Sequence, residues 1–197
     1  MAALIHSTAE VSPEAVIGAG TTVWARSHVR EGARLGSNCI VGEGVYIDAD
    51  VRIGDNVKIQ NGALLYRRLT VADGVFIGPQ VCFTNDLRPR SVTPSGTRKD
   101  NQDWTPGESR VEVGASLGAA VVVLPGIRIG PWAMVGAGAL VTHDVPEHAL
   151  VLGSPARQEG WVCACGERLV VVDPGQATRR WRCPRCLIDG WERLEPL

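Results

Sequence analysis

Four cysteines near the end of the chain stand in two pairs, Trp161-Val162-Cys163-Ala164-Cys165 and Trp181-Arg182-Cys183-Pro184-Arg185-Cys186. Thiolates grouped this way suit a tetrahedral zinc ion, and four of them fill its shell, leaving no open position for a substrate. The role read from Cys163, Cys165, Cys183 and Cys186 is therefore structural zinc, although the Cys-x-Cys spacing of the first pair is tighter than the common Cys-x-x-Cys. A tail this short also lacks the apolar residues for a core of its own, so a metal is what would hold it. A redox pair or free thiols are the other readings. Nothing points to the oxidising compartment that disulfides require. Cys39 and Cys82 stand alone and read as small buried hydrophobes.

A second polar group lies mid-chain. Tyr66-Arg67-Arg68 is followed, after a short apolar stretch, by Thr84-Asn85-Asp86-Leu87-Arg88-Pro89-Arg90-Ser91. Guanidinium groups in a cluster grip a pyrophosphate with paired hydrogen bonds. They could equally be solvated, or paired with Asp86 for little energy.

The elements that position these residues follow from an unusual period. An aliphatic residue returns every sixth position: Ile5, Val11, Ile17, Val23, Val29, Leu35, Val41, Ile47, Ile53, Ile59, Leu65, Val71, Ile77 and Phe83. The phase breaks and resumes as Val111, Leu117, Val123, Ile129, Val135 and Val141. Six is neither the helical period nor strand alternation. It predicts a solenoid whose coils have three short faces, with aliphatics inward and Gly, Asn and Asp at the turns. Coils of eighteen residues stack at about 4.8 Å, which makes about seven coils a prism roughly 30 Å long.

This register gives the mid-chain group an address. Asn85 falls above Arg67, Asp86 above Arg68 and Thr84 above Tyr66, with Asp48 and Arg30 further down the column and His28 beside Val29. The stretch at about 84–110 loses its aliphatics and gains prolines and charges. A structureless loop of that length inside a compact domain, anchored in a coil at both ends, points to function, a tolerated solvated insertion being the other reading. The coils from Gly114 to Val145 are built from very small residues. These would leave backbone groups accessible to a long, thin ligand, or simply suit tight turns. The expected organisation is a solenoid over 1–157 and a cysteine-bearing segment over 158–197.

Composition excludes several classes. A formal net charge of −1 gives no global attraction to nucleic acid or an anionic membrane. No apolar run approaches a membrane span, and residues 1–7 lack the regions of a signal peptide. The expectation is a cytoplasmic protein with no membrane insertion. Three convergent imidazoles for a catalytic zinc are not available, because His143 and His148 lie far along the prism from His6 and His28.

Hexads such as Ile53-Gly54-Asp55-Asn56-Val57-Lys58 resemble those of the hexapeptide-repeat acyltransferases. The resemblance implies an all-β, left-handed parallel β-helix working as a homotrimer with sites between subunits. Val135 through Pro146, followed by Gly153-Ser154-Pro155-Ala156-Arg157, resembles the acetyl-CoA end of these enzymes. His143 stands where the pattern has Lys and Ser154 where it has Asn; at neutral pH a histidine meets a phosphate more weakly than a lysine. The acetyl-CoA contacts so implied are Gly136, Ala137, Thr142, His143 and Arg157, joined by Gly114, Ser116 and Gly118 from the small-residue coils. Trp24…His28-Val29-Arg30-Glu31-Gly32, Phe83-Thr84-Asn85-Asp86…Pro89-Arg90-Ser91 and Gly160-Trp161-Val162-Cys163-x-Cys165-Gly166 resemble the N-acetyltransferases of nucleotide-linked 3-amino sugars. That likeness implies a dTDP- or UDP-linked acceptor destined for surface polysaccharide. Asn85 would orient the amine, and Asp86 would take the proton, fix sugar hydroxyls or cap the loop. His28, Arg30, Tyr66, Arg67, Arg88 and Arg90 would bind the substrate. A different amine or hydroxyl acceptor, or a non-catalytic β-helix scaffold, are the alternatives.

Overall fold

Each hexad folds as a strand of two or three residues and a turn in the computed structural model, which describes residues 1–100, 102–172 and 180–187. Three parallel sheets result, one per side of a triangular coil. The first sheet begins at Leu4–Ile5 and runs through Ile40–Val41 and Phe76–Ile77 to Ala149–Leu152. The second begins at Glu10–Val11 and contains His28–Val29, Tyr46–Ile47, Leu64–Leu65 and Cys82–Phe83. The third contains Arg34–Leu35, Arg52–Ile53, Leu69–Val71, Ser109–Val111 and Arg128–Ile129. The expected solenoid is present, and the described residues contain no helix. Nor do they include any helix long and apolar enough to cross a membrane.

The second residue of each short strand is the hexad anchor. From Val23 onward the anchors are buried and form one continuous hydrophobic cluster. Burying each aliphatic contributes about 1.5–3 kcal/mol, which is how two-residue strands persist without a wide sheet. The register step is eighteen residues, as in Ile53 opposite Val71. Corners set the remaining requirements. The third residue of a corner takes a left-handed conformation, filled by Gly32, Asn38 and Asp50, but also by Arg68, Ala120 and Trp132. The first residue often lies against the next coil: a Cβ on Gly36 would stand 2.5 Å from the Gly54 carbonyl. Buried corner hydroxyls are satisfied locally, with Thr21 and Ser27 each donating to a carbonyl at 2.7 Å.

After Phe83 the chain leaves the coil between the second and third sheets and re-enters at Ser109. There Val111 pairs with Val71, forty positions away instead of eighteen. The excursion is more ordered than a structureless loop. Val92 and Arg98 bridge in antiparallel fashion, and Thr93 and Lys99 donate backbone hydrogen bonds to Thr97 and Ser91, closing a small hairpin. Polar turn residues carry no hexad signal, so the period could not announce it. The loop root is pinned on both sides: the Gly107 N–H donates to the Asn85 carbonyl, and the Ser109 N–H to that of Arg68.

At the far end Ala149–Leu152 closes the parallel part of the first sheet, and Arg157–Trp161 adds an antiparallel strand beyond it. Trp161, Cys163, Leu169, Trp181 and Cys183 are buried in the same cluster as the solenoid core. Packing is thus continuous from the coils into the cysteine segment.

Two substitutions test this construction by chemical denaturation. Ile47→Ala, which empties a fully buried anchor, should cost about 2–5 kcal/mol. Ala120→Gly relieves a left-handed alanine (φ 56°) and should add about 1 kcal/mol.

Candidate active site and cysteine cluster

The corner between the second and third sheets collects the polar side chains that the register placed there. Its centre is Asp48, whose side chain is 13% exposed. Its Oδ1 accepts hydrogen bonds from the Ala49 N–H at 2.8 Å, the Tyr46 hydroxyl at 3.2 Å and Arg30 at 3.3 Å. Its Oδ2 accepts from the Arg67 N–H at 3.2 Å. One carboxylate therefore ties together three successive coils, the last of them directly below the root of the inserted loop.

Arg30 also grips Glu31 through Nε at 3.0 Å and Nη2 at 2.5 Å. Tyr46 and Glu31 together raise the guanidinium above its ordinary value. The Glu31 carboxyl is held below its usual range by its own backbone N–H and then by Arg30. Expected as a ligand contact, Arg30 is here committed to carboxylates of its own chain and acts on the site by positioning. His28 stacks edge-on against Tyr46 with ring centroids 5.6 Å apart, and Tyr46 lies 5.6 Å from Tyr66. This aromatic ladder climbs the second sheet to the corner below Thr84. Burial pushes up the Tyr66 phenol and the Cys82 thiol beside the ladder.

Asn85 sits half-buried at the loop root. Its carbonyl is used by Gly107, and no hydrogen bond to its side-chain amide is seen among the described residues. Asp86 does not pair with Arg67 or Arg68. Its Oδ1 accepts from the Arg88 N–H at 2.8 Å, which makes it a cap of the loop, while Arg68 pairs with Glu108 at 3.1 Å. Arg67 and Arg68 line a cleft of about 830 Å³ beside the root, together with Arg52, Arg110 and Trp104. Arg88 and Arg90 lie further out, around a separate cavity of about 700 Å³ rimmed by Leu87 and Val92. The expected substrate residues are therefore split between the corner and the loop.

The expected acetyl-CoA residues fall into four places. Thr142, His143 and Arg157 share a depression of about 310 Å³, in which the Thr142 hydroxyl lies 2.9 Å from His143 Nδ1. Gly118, Gly136 and Ala137 stack on the corner between the first and second sheets, where a Cβ on Gly118 would meet the Ala137 nitrogen at 2.6 Å. Gly114 is on a different corner, covered by the Trp132 ring, and Ser116 is on the first sheet. The N–H groups of Gly114, Ser116 and Gly118 already donate to Asp73, Ala133 and Val135. For any of these N–H groups to stabilise the oxyanion that forms when an amine attacks the acetyl thioester, a coil hydrogen bond would first have to break.

The sequence reading gave no role to Tyr46, Arg52, Trp104 or Arg110. Tyr46 was legible, since it stands eighteen residues from His28 and faces it across the sheet.

The four tail sulfurs lie within 4.8 Å of one another. Cys163 and Cys183 are buried, and Cys165 and Cys186 face outward. Tetrahedral zinc–sulfur bonds of about 2.3 Å imply sulfurs about 3.8 Å apart, so the set fits the metal. The Glu167 N–H and neighbouring thiols draw Cys165 down to about 7, which favours a thiolate within the cluster.

Comparison with known proteins agrees with this architecture. The family model described as bacterial transferase hexapeptide (six repeats) matches residues 14–49. The chain is 49% identical over 67 residues to the dTDP-3-amino-3,6-dideoxy-alpha-D-galactopyranose 3-N-acetyltransferase of Aneurinibacillus thermoaerophilus, covering 34% of this chain and 35% of that protein. It is 33% identical over 129 residues to the galactoside O-acetyltransferase of Lactococcus lactis subsp. lactis, covering 62% and 60%. The chain thus spans about a third to three-fifths of the length of these two relatives. PerB from Caulobacter crescentus, solved with CoA and GDP-perosamine, superimposes with a TM-score of 0.52 at 24% identity, over 81% of this chain and 58% of that one. That likeness shows the shared fold. The resemblance to hexapeptide-repeat acyltransferases holds at the level of repeat and architecture.

Removing the hub tests the site's construction. Asp48→Ala strips four hydrogen bonds from a largely buried acceptor and should lower unfolding stability by about 2 kcal/mol in denaturant titrations. Tyr46→Phe, losing one bond, should cost about 1 kcal/mol.

Proposed function

We propose that the protein is an N-acetyltransferase that moves acetyl from acetyl-CoA to the 3-amino group of a dTDP- or UDP-linked amino sugar. The observation that carries this reading is the 49% identity to a dTDP-3-amino-sugar 3-N-acetyltransferase. The corner around Asn85, Tyr66 and Arg67 has chemistry suited to that acceptor.

Transfer runs directly within a ternary complex. The neutral amine attacks the thioester carbonyl, the tetrahedral intermediate collapses, and the CoA thiol leaves as the nitrogen loses its proton. A sugar amine with a pKa of about 8, like an α-amino group, is partly neutral near pH 7 and needs no strong base. The Asn85 side-chain oxygen, which accepts no hydrogen bond among the described residues, takes one from the amine and aligns it. The carboxylate oxygen of Asp86 left over from capping is within the same loop root and takes the proton or a sugar hydroxyl. Most of the acceleration then comes from holding two large ligands in register. Thr142, His143 and Arg157 meet phosphates of the coenzyme.

A homotrimer with sites between subunits accompanies this reading. Leu4, Ile40 and Phe76 stand exposed in one outward column of the first sheet, alternating with Thr22 and Lys58, a mixed face with apolar side chains to offer another copy. We assign the activity to the cytoplasm and to surface-polysaccharide synthesis, as the resemblance implies. Cys163, Cys165, Cys183 and Cys186 would hold one zinc ion that fastens the end of the solenoid and takes no part in transfer.

Identity to a galactoside O-acetyltransferase over a longer stretch supports a second reading, transfer to a sugar hydroxyl. Thiol release from acetyl-CoA separates the two. The 3-amino nucleotide sugar should release thiol, its 3-hydroxy counterpart should not, and Asn85→Ala should lower kcat by about 10²-fold. Release with the hydroxyl sugar alone reverses the assignment. Elemental analysis should find about one zinc per chain. Chelation should expose the C-terminal segment to protease while acetyl transfer at low temperature persists; rapid loss of activity with the segment still protected would refute the fastening role.

A further inference from the structure

The outer face of the third sheet carries a column of arginines. Arg34, Arg52, Thr70, Arg110 and Arg128 are successive partners up that face, at steps of about 4.8 Å. Arg128 is tied to Glu112 at 3.0 Å. Among the described residues Arg34, Arg52 and Arg110 make no ion pair. Like charges at facing register positions weaken a sheet. A face that keeps them gains when an anion lies across it.

Two of these arginines open into a shaped space. Arg52 and Arg110 flank Thr70, about 9.6 Å apart, and both line the 830 Å³ cleft at the root of the inserted loop. Arg67 and Arg68 come from the neighbouring corner, and Trp104 and Pro106 of the loop form another wall. Of the two acids in the lining, Asp50 and Glu108, the second is taken by Arg68. Guanidinium groups from two sides with an indole nearby match a nucleotide: paired N–H groups suit phosphate oxygens, and an aromatic ring suits a base.

We propose that this cleft holds the nucleoside diphosphate of the acceptor, with the phosphates among Arg52, Arg67 and Arg110 and the base against Trp104. The inference rests on the nucleotide-sugar reading above and adds residues that reading does not use. Its location fits an acceptor, because the cleft adjoins the corner of Asn85 and Tyr66. The coenzyme also contains a nucleoside diphosphate, so the two sources must be separated by measurement.

Calorimetric titration of the whole protein with dTDP, UDP, inorganic pyrophosphate and acetyl-CoA provides the test, using Arg52→Gln, Arg110→Gln, Trp104→Ala and, as a control on the same face outside the cleft, Arg34→Gln. The first two variants should each weaken dTDP or UDP about tenfold. Trp104→Ala should weaken the nucleotide about tenfold and leave pyrophosphate unchanged. Acetyl-CoA affinity and the Arg34→Gln protein should match the parent. Nucleotide affinity unchanged in all three cleft variants overturns the proposal, and if thiol release with the amino sugar persists the acetyl-transfer reading stands without it. Loss of acetyl-CoA affinity in place of dTDP and UDP affinity assigns the cleft to the coenzyme and overturns the acceptor assignment. Failure of the parent protein to bind either nucleotide overturns it as well. A rise in KM for the nucleotide sugar with kcat unchanged in Arg110→Gln supports it independently.

Discussion

The eighteen-residue parallel register is the constraint on which everything else depends. A hydrogen-bonded ladder aligns each coil with the next, and only small or inward-pointing residues can occupy the positions that face the axis. Strands of two residues have no stability of their own; they exist because the coil below and the coil above hold both edges. The same ladder that builds the core therefore fixes, to within a fraction of a coil, which outward side chains share a column. The chemical differences along this molecule lie in those columns, and the inner anchors differ little from one end to the other.

Insertion of the loop shows how strict that ladder is. Twenty-five residues, 84–108, leave the coil, yet Ser109–Val111 returns to the register it would have had, paired with Leu69–Val71. The return is secured at the root by two backbone bonds of 3.1 Å and by Gly107, where an added Cβ would meet the Gly126 nitrogen at 2.8 Å. Asp48 completes the arrangement from below by holding the Arg67 N–H. The loop is thus carried on a rigid corner, as a precise site requires, while its outer part is free to differ in shape.

Much of this was legible in the sequence. The hexads specify the coils because every anchor obeys one physical demand, burial. The neighbourhood of Asp48, Arg30, Tyr66 and Thr84 followed from counting eighteens. The count also contained His28 opposite Tyr46, and Arg34 opposite Arg52, but these are outward positions whose residue types carry no burial signal. What the count could not supply was the partner of each charge. Asp86 turns to the Arg88 N–H, and Arg68 turns to Glu108, because loop geometry after Phe83 no longer follows the ladder. The hairpin at 91–99 is hidden for the same reason: its bonds are local and polar. The cysteine cluster was legible from spacing alone. Its continuity with the solenoid core was not, since that depends on Trp161 and Trp181 turning inward.

The three outer faces of the coil differ in chemistry, and the difference constrains how ligands and copies can be arranged around it. The first sheet presents Leu4, Ile40 and Phe76 interleaved with Thr22 and Lys58, the second His28 and Tyr46, the third Arg34, Arg52 and Arg110. Exposed apolar side chains gain free energy when covered, whereas stacked guanidinium groups lose it unless the covering surface is anionic. The third sheet is therefore the least suited of the three to meeting another copy of the same face, and the best suited to remain open to a charged ligand. The corner between the aromatic and arginine faces is where the loop departs. A ligand with a polar sugar at one end and phosphates at the other can lie across that corner with each part on the surface that matches it.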